Sequence, residues 1–238
     1  MPRSAPHRVA LAALQGGWVV LRTPRLPEAA GPRTGRTGAG APLRLLIAGD
    51  SSAAGVGVAR QETALAGQLG SALGSHFALD WQLVARSGAT TAATLKTLRS
   101  TLPTDARFDA AVLALGVNDV IRQVPLARWL ENQRALHAFL TGPLGIAHVY
   151  ASGVPPMGRF PALPRTLASL LGARAARFDA ALADLSPRLP GHRHLPFDEG
   201  LLDSTIMASD GFHPGAPAYT HWANTLARAI RADFGADP

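Results

Sequence analysis

The stretch Leu43-Arg44-Leu45-Leu46-Ile47-Ala48-Gly49-Asp50-Ser51-Ser52 decides how the chain is read. Residues 43–49 carry one charge among apolar side chains and end in glycine. That is the length and composition of a strand buried on both faces. Small and turn-forming residues follow at once, Gly49-Asp50-Ser51-Ser52-Ala53-Ala54-Gly55. A buried strand that stops on a small-residue turn belongs to an open parallel sheet, whose ligands collect beyond the carboxyl ends of the strands.

Working outward, helical spacing over Gln61–Gly74 is followed by a strand over Ala78–Ala85. A helix over Thr91–Leu102, stopped by Pro103, leads to a strand over Asp109–Leu115. A helix over Leu126–Leu140 precedes a strand over Ile146–Ser152. A long helix is expected over Leu163–Leu185, with a break near Gly172, then a weak fifth strand over Arg193–Phe197 and a closing helix over Pro214–Phe234. Apolar strands alternating with helices predict an α/β protein, a parallel sheet covered on both faces and joined by right-handed crossovers.

The composition agrees with one folded unit. The chain has 238 residues, 47% hydrophobic and 16% charged, which excludes disorder and coiled coil. Cysteine is absent, so disulfides, cysteine-ligated metal and thiol catalysis are excluded and the redox compartment is left open. The net charge of +7 is concentrated in residues 1–42, where six arginines face one glutamate; residues 43–238 hold 17 basic and 15 acidic residues. The body is nearly neutral and lacks a basic groove with interleaved aromatics, so no nucleic-acid partner is expected.

Residues 1–42 therefore read as a basic leader and connector, and 43–238 as the domain. Within the leader, Val9–Leu21 is apolar, flanked by Arg8 and Arg22, and too short to span a bilayer comfortably. It reads either as an interfacial anchor on anionic lipid or as a helix packed on the domain, and the second is preferred. No small-x-small cleavage site follows, so a cytoplasmic or membrane-surface location is favoured over export. Residues 23–42, rich in Pro, Gly and Arg, read as an irregular connector.

Four polar segments fall at or near the expected strand ends: Gly49-Asp50-Ser51, Arg86-Ser87-Gly88, Gly116-Val117-Asn118-Asp119 and Ser209-Asp210-Gly211-Phe212-His213. Their chemistry fits one task. A serine hydroxyl such as Ser51 is a poor nucleophile until a base takes its proton. His213 can be that base, and Asp210 can fix its tautomer. The backbone N–H groups of Ser51 and Gly88 and the side-chain amide of Asn118 can stabilise an oxyanion. Asp50 is read as ordering the Ser51 turn and Asp119 as bracing its own loop. The stiff loop Gly153–Pro161 offers Met157 and Phe160 as candidates to line an acyl pocket. His192 and His194 have no third ligand at a convincing spacing, so no metal site is expected.

Gly49-Asp50-Ser51, Gly88, Gly116-x-Asn118-Asp119 and Asp210-x-x-His213 resemble, in order, the four blocks of the SGNH hydrolases, the GDSL-type lipases and esterases, over about Leu43–Phe234. The chain particularly resembles bacterial lysophospholipase- and arylesterase-like members. It departs at Ser52, where the family's name-giving leucine stands, and at Ala53-Ala54. The resemblance implies a flavodoxin-like three-layer α/β/α sandwich with five parallel strands in the order 2-1-3-4-5. It also implies an ester hydrolase with Ser51, Asp210 and His213 as triad and Ser51, Gly88 and Asn118 as oxyanion hole. The expected partner is a small-molecule acyl ester, with no metal and no cofactor. Peripheral membrane contact would run through residues 1–42, and the oligomeric state is left open.

Overall fold

The computed structural model describes residues 24–235, together with residues 11, 12, 14–16 and 18. Among these, six strands form one sheet: β1 (Thr34–Thr37), β2 (Ala41–Gly49), β3 (Phe77–Ala85), β4 (Ala110–Ala114), β5 (His148–Ser152) and β6 (His192–Leu195). Their order across the sheet is β1-β3-β2-β4-β5-β6. The last five in sequence are mutually parallel and keep the expected 2-1-3-4-5 arrangement. The strand count is corrected from five to six, because β1 adds antiparallel to the outer edge of β3.

β2 lies at the heart of the sheet, with Leu43, Leu45, Leu46, Ile47 and Ala48 all buried. Side chains on both of its faces meet helices, which is why the run reads as continuously apolar rather than alternating. The helices are α1 (Leu65–Gly74), α2 (Thr91–Thr101), α3 (Val117–Ile121), α4 (Leu126–Thr141), α5 (Arg165–Leu185) and α6 (Ala216–Asp233). One core layer sets Leu65, Leu69, Leu73, Tyr219, Leu226 and Ile230 of α1 and α6 against the sheet. The opposite layer is built by α2, α4 and α5 around Leu98, Trp129, Leu136, Phe178 and Leu182. α3 is a single short turn of helix inside a segment read only as a polar strand-end motif.

Two expectations of irregularity are overturned. α5 runs without a break through Gly172. A methyl group there would lie 2.7 Å from the Gly158 backbone, so the glycine admits the Met157–Arg159 turn onto the helix rather than ending it. The connector, in turn, contains β1. Its backbone passes so close to Trp81 that a methyl group on Gly35 would sit 2.7 Å from the indole ring. Arg36 pairs with Asp80 at 2.9 Å, Ala30 bridges Arg60, and Glu28 and Arg33 reach the end of β3. These contacts are long-range, so local composition does not announce them.

In the leader, residues 11, 12, 14–16 and 18 are helical. Ala12 is buried, and Gln15 Oε1 accepts the backbone N–H of Leu167, in the first turn of α5, at 2.9 Å. The remainder of Val9–Leu21, and residues 1–8, 22 and 23, lie outside the described residues. No helix among the described residues is long and apolar enough to cross a membrane.

Candidate active site

The turn that carries Ser51 is fixed to the sheet by its backbone. Asp50 N donates to Ala114 O of β4 at 3.1 Å, and Val56 N donates to Ser51 O at 3.0 Å. Gly49 is needed for close approach: a methyl group there would lie 2.5 Å from Ala114 O and 2.6 Å from Ala53 Cβ. From the far side, the Tyr219 hydroxyl lies 2.9 Å from Ser52 O and 2.7 Å from Val56 O, and donates to this pair of carbonyls. The hydroxyl of Ser51 is thus presented by a turn held at both ends.

His213 Nε2 lies 2.8 Å from Ser51 Oγ, and His213 Nδ1 lies 2.6 Å from Asp210 Oδ2. Residues 162 positions apart in sequence meet in one chain of hydrogen bonds. The other carboxylate oxygen of Asp210 accepts the backbone N–H groups of Phe212 and His213 at 2.9 and 3.0 Å. Burial opposes ionisation of this carboxyl, but the bonds from His213 and Phe212 outweigh it and hold Asp210 below the usual carboxylate range. With its side chain 1% exposed and that of His213 17% exposed, the pair is shielded while the imidazole keeps a path to the site. Such an imidazole can accept a proton from a hydroxyl on one nitrogen while the carboxylate steadies the other.

Gly88 and Asn118 stand on the neighbouring strand ends. Arg86 N donates to Gly49 O at 3.3 Å, so the loop carrying Gly88 leaves β3 beside the Ser51 turn. Gly88 adopts φ +75°, a left-handed conformation that favours glycine. Asn118 lies on α3, whose entry at Gly116 has φ +121°. Asn118 Nδ2 donates to Asp50 Oδ2 at 3.1 Å. A primary amide has two N–H bonds, so one remains for a ligand.

Asp50 does more than order its own turn. Its Oδ1 accepts Ser52 N at 3.1 Å, while its Oδ2 orients Asn118. Burial drives this carboxyl up to about 6, against the lowering effects of Ser52, His213 and Asn118. Asp119 braces a wider region than its own loop. Its Oδ2 accepts both the N–H and the hydroxyl of Thr91 at 3.0 Å, which locks α3 to the start of α2. Thr91 Oγ1 in turn accepts from Trp129 Nε1 at 3.1 Å.

Beside Ser51 opens a largely apolar pocket. Phe160 lines it and packs edge-on against Phe212, with ring centroids 4.9 Å apart. Met157, the other sequence candidate, is fully buried in the core and lies outside the lining. The lining also includes Phe197, Leu201, Leu202 and Met207, which the sequence reading did not single out, and Trp222, which from sequence reads as a core or rim residue. A signal for the first four was present in the apolar residues scattered over 195–207, but they follow no helical or strand period. Glu28 was also missed and belongs to no motif; Thr91 closes the polar segment after the second predicted strand but was given no role. His192 and His194 are engaged by Ser186 Oγ and Asp179 Oδ1, each at 2.8 Å.

Comparison with known proteins adds to this geometry. A GDSL-like esterase of Mycobacterium tuberculosis is 28% identical over 199 residues, a region that covers 79% of this chain. The chain spans about 62% of the length of that relative. A psychrotrophic esterase from Pseudoalteromonas sp. superposes with a TM-score of 0.56 at 18% identity, covering 81% of this chain and 98% of its own. A lipase/acylhydrolase from Enterococcus faecalis gives 0.56 at 21% identity, covering 80% and 96%. An acetylxylan esterase from Geobacillus stearothermophilus gives 0.54 at 18%, covering 84% and 97%. These likenesses establish a shared fold. The sequence profile of the GDSL-like Lipase/Acylhydrolase family matches residues 47–221, most of the sheet together with the Ser51 and His213 segments, and the chain belongs to that family.

Proposed function

We propose that the protein hydrolyses carboxylic esters through an acyl-enzyme intermediate on Ser51. The observation that carries this reading is the continuous relay from Ser51 Oγ through His213 to Asp210, opening beside an apolar pocket. His213 takes the hydroxyl proton as Oγ bonds to the ester carbonyl carbon. The oxyanion that forms is met by the backbone N–H groups of Ser51 and Gly88 and by the free amide N–H of Asn118. Each such donor contributes about 3 kcal/mol in the transition state. As the tetrahedral intermediate collapses, the bond to the alcohol oxygen breaks and His213 returns the proton to it. Water then repeats the sequence on the acyl-enzyme and releases the acid. The scheme requires neither metal nor cofactor.

Short acyl or aryl esters are the first substrate class, with the acyl group in the pocket beside Phe160. The apolar wall of Leu201, Leu202, Met207 and Trp222 favours a second reading, lysophospholipid or thioester substrates with longer chains. A series of p-nitrophenyl esters of increasing chain length separates the two. Wild type and Ser51→Ala, compared on p-nitrophenyl acetate and butyrate, test the mechanism itself. A loss of roughly three orders of magnitude or more is expected. Equal rates would end the serine route. A fluorophosphonate should label wild type covalently; a protein of this fold that only binds acyl ligands would stay unlabelled.

The leader fits peripheral contact with an anionic lipid surface. Leu11, Leu14 and Trp18 are 45%, 74% and 54% exposed. Their spacing of three and four residues aligns them on one side of a helix. The buried Ala12 and the bonded Gln15 face the domain instead. An apolar stripe with tryptophan, within a segment carrying six arginines, is the composition that settles at a lipid interface.

A further inference from the structure

Arg122 stands beside the Gly88 loop with no hydrogen-bond or ion-pair partner for its guanidinium among the described residues. A methyl group built on Gly88 would lie 3.5 Å from Arg122 Nη2, and, beyond Gly88 and its chain neighbours, no other heavy atom of the described residues comes within 4 Å of that point. Arg122 is exposed and, among the described residues, its guanidinium makes no hydrogen bond and no ion pair. It follows Asn118 by four residues, and Arg122 N donates to Asn118 O at 2.9 Å. Residues so spaced share one side of a helical turn. The turn that directs the Asn118 amide to Asp50 thus also sends Arg122 to Gly88. The carboxylate close enough to feel this charge, Asp119, is fully buried; its Oδ2 accepts from Thr91, its Oδ1 has no hydrogen-bond partner, and it forms no ion pair with Arg122. A second exposed arginine, Arg86, opens the same loop two residues before Gly88 and likewise has no side-chain partner among the described residues.

The pocket lies elsewhere around Ser51. Its lining includes Ser51, Leu115, Val117 and Phe160 but not Gly88, Asn118 or Arg122. An ester whose acyl group fills the pocket must leave its alcohol portion outside that lining. We propose that Arg122 is a specificity residue that binds an anionic oxyacid group, carboxylate or phosphate, on the alcohol portion of the substrate. The substrate class is then an ester with an apolar acyl group and a negatively charged alcohol. A planar guanidinium is suited to the task because it offers paired donors to such oxygens. This inference rests on the ester-hydrolase reading above and specifies its substrate.

The test uses matched ester pairs on the full chain. One pair is p-nitrophenyl butyrate and 5-butyryloxy-2-nitrobenzoate, which differ by a carboxylate. The other is monobutyrin and butyryl glycerol 3-phosphate, which differ by a phosphate. For each pair, the ratio of kcat/KM for the anionic ester to that for the neutral ester is measured in wild type, Arg122→Ala, Arg122→Lys and Arg122→Glu. The expected result is that Arg122→Ala lowers the ratio about tenfold in at least one pair, chiefly through KM, as the loss of one charge-assisted contact would. Arg122→Lys should keep part of the preference and Arg122→Glu should lower the ratio further. The affected pair identifies the oxyacid. A ratio unmoved by Arg122→Ala in both pairs overturns the proposal while leaving ester hydrolysis intact. Wild type that cleaves none of the four esters and resists fluorophosphonate labelling overturns the ester-hydrolase reading, and this inference with it.

Discussion

The carboxylate of Glu28 accepts the backbone N–H of Ser87 at 2.6 Å, across 59 residues of sequence. Its second oxygen pairs with Arg33 at 2.5 Å, and Arg33 Nη1 donates to Ala85 O at 2.6 Å. Two residues from the basic leader therefore clamp the segment that leads into Gly88. Burial opposes ionisation of Glu28, but its bonds to Ser87 and the charge of Arg33 prevail and hold it below its ordinary value. The group is consequently ionised at neutral pH, and its support is lost as pH falls through that lowered value.

Glu28→Gln is expected to reduce turnover about three- to tenfold, with a smaller change in KM. It weakens a charge-assisted bond to the loop of Gly88, which the proposed mechanism uses as a transition-state donor rather than for ground-state binding. Steady-state kinetics on p-nitrophenyl acetate at pH 7.5 provide the measurement. Turnover equal to wild type would show that the Gly88 loop holds its shape without the clamp.

Asp50 gives a pH-dependent expectation. Its folded-state value of about 6 exceeds the ordinary 3.8, so the folded protein binds this proton more tightly than the unfolded chain does. Stability from this group is greatest below pH 3.8 and declines as pH rises toward 6, by about 3 kcal/mol in all. Asp50→Asn abolishes that ionisation. The melting temperature of the variant relative to wild type should rise between pH 5 and pH 7.5, while turnover falls because the carboxylate that orients Asn118 is gone. Thermal melts at the two pH values check the first part; a constant difference would place the ionisation elsewhere.

The leader is tested with vesicles. Replacing Leu14 and Trp18 by serine in the full chain should reduce co-sedimentation with vesicles of mixed phosphatidylcholine and phosphatidylglycerol at low salt severalfold. Burial of apolar area at the interface drives such binding. Fluorophosphonate labelling of Ser51 should persist in the variant. Wild type that never sediments with these vesicles would remove the lipid surface as a partner.

Much of the architecture could be read from the order of residues. Leu43–Gly49 is a buried strand because both of its faces are covered, and that leaves an unbroken apolar run in the sequence. The meeting of Ser51 with Asp210 and His213 was also foreseeable, since each sits in a short polar segment at or near a strand end. What escaped depends on tertiary contact. β1 is four residues long and exists through its pairing with β3. Glu28 and Thr91 act on distant loops without any local pattern. Met157 and Phe160 are three residues apart on one loop and both buried, yet only Phe160 lines the pocket, a difference that residue type does not announce. Gly172 looks like a helix breaker in sequence and is a packing site in three dimensions.

The short outer strand bears on how this protein behaves in solution. Trimming the chain at residue 42, where composition suggests a boundary, would strip Thr34–Thr37 from β3 and uncover Trp81. The bared row of backbone donors and acceptors would then recruit strands from other molecules. A shortened protein that precipitates would be reporting a missing edge guard, not an unstable fold.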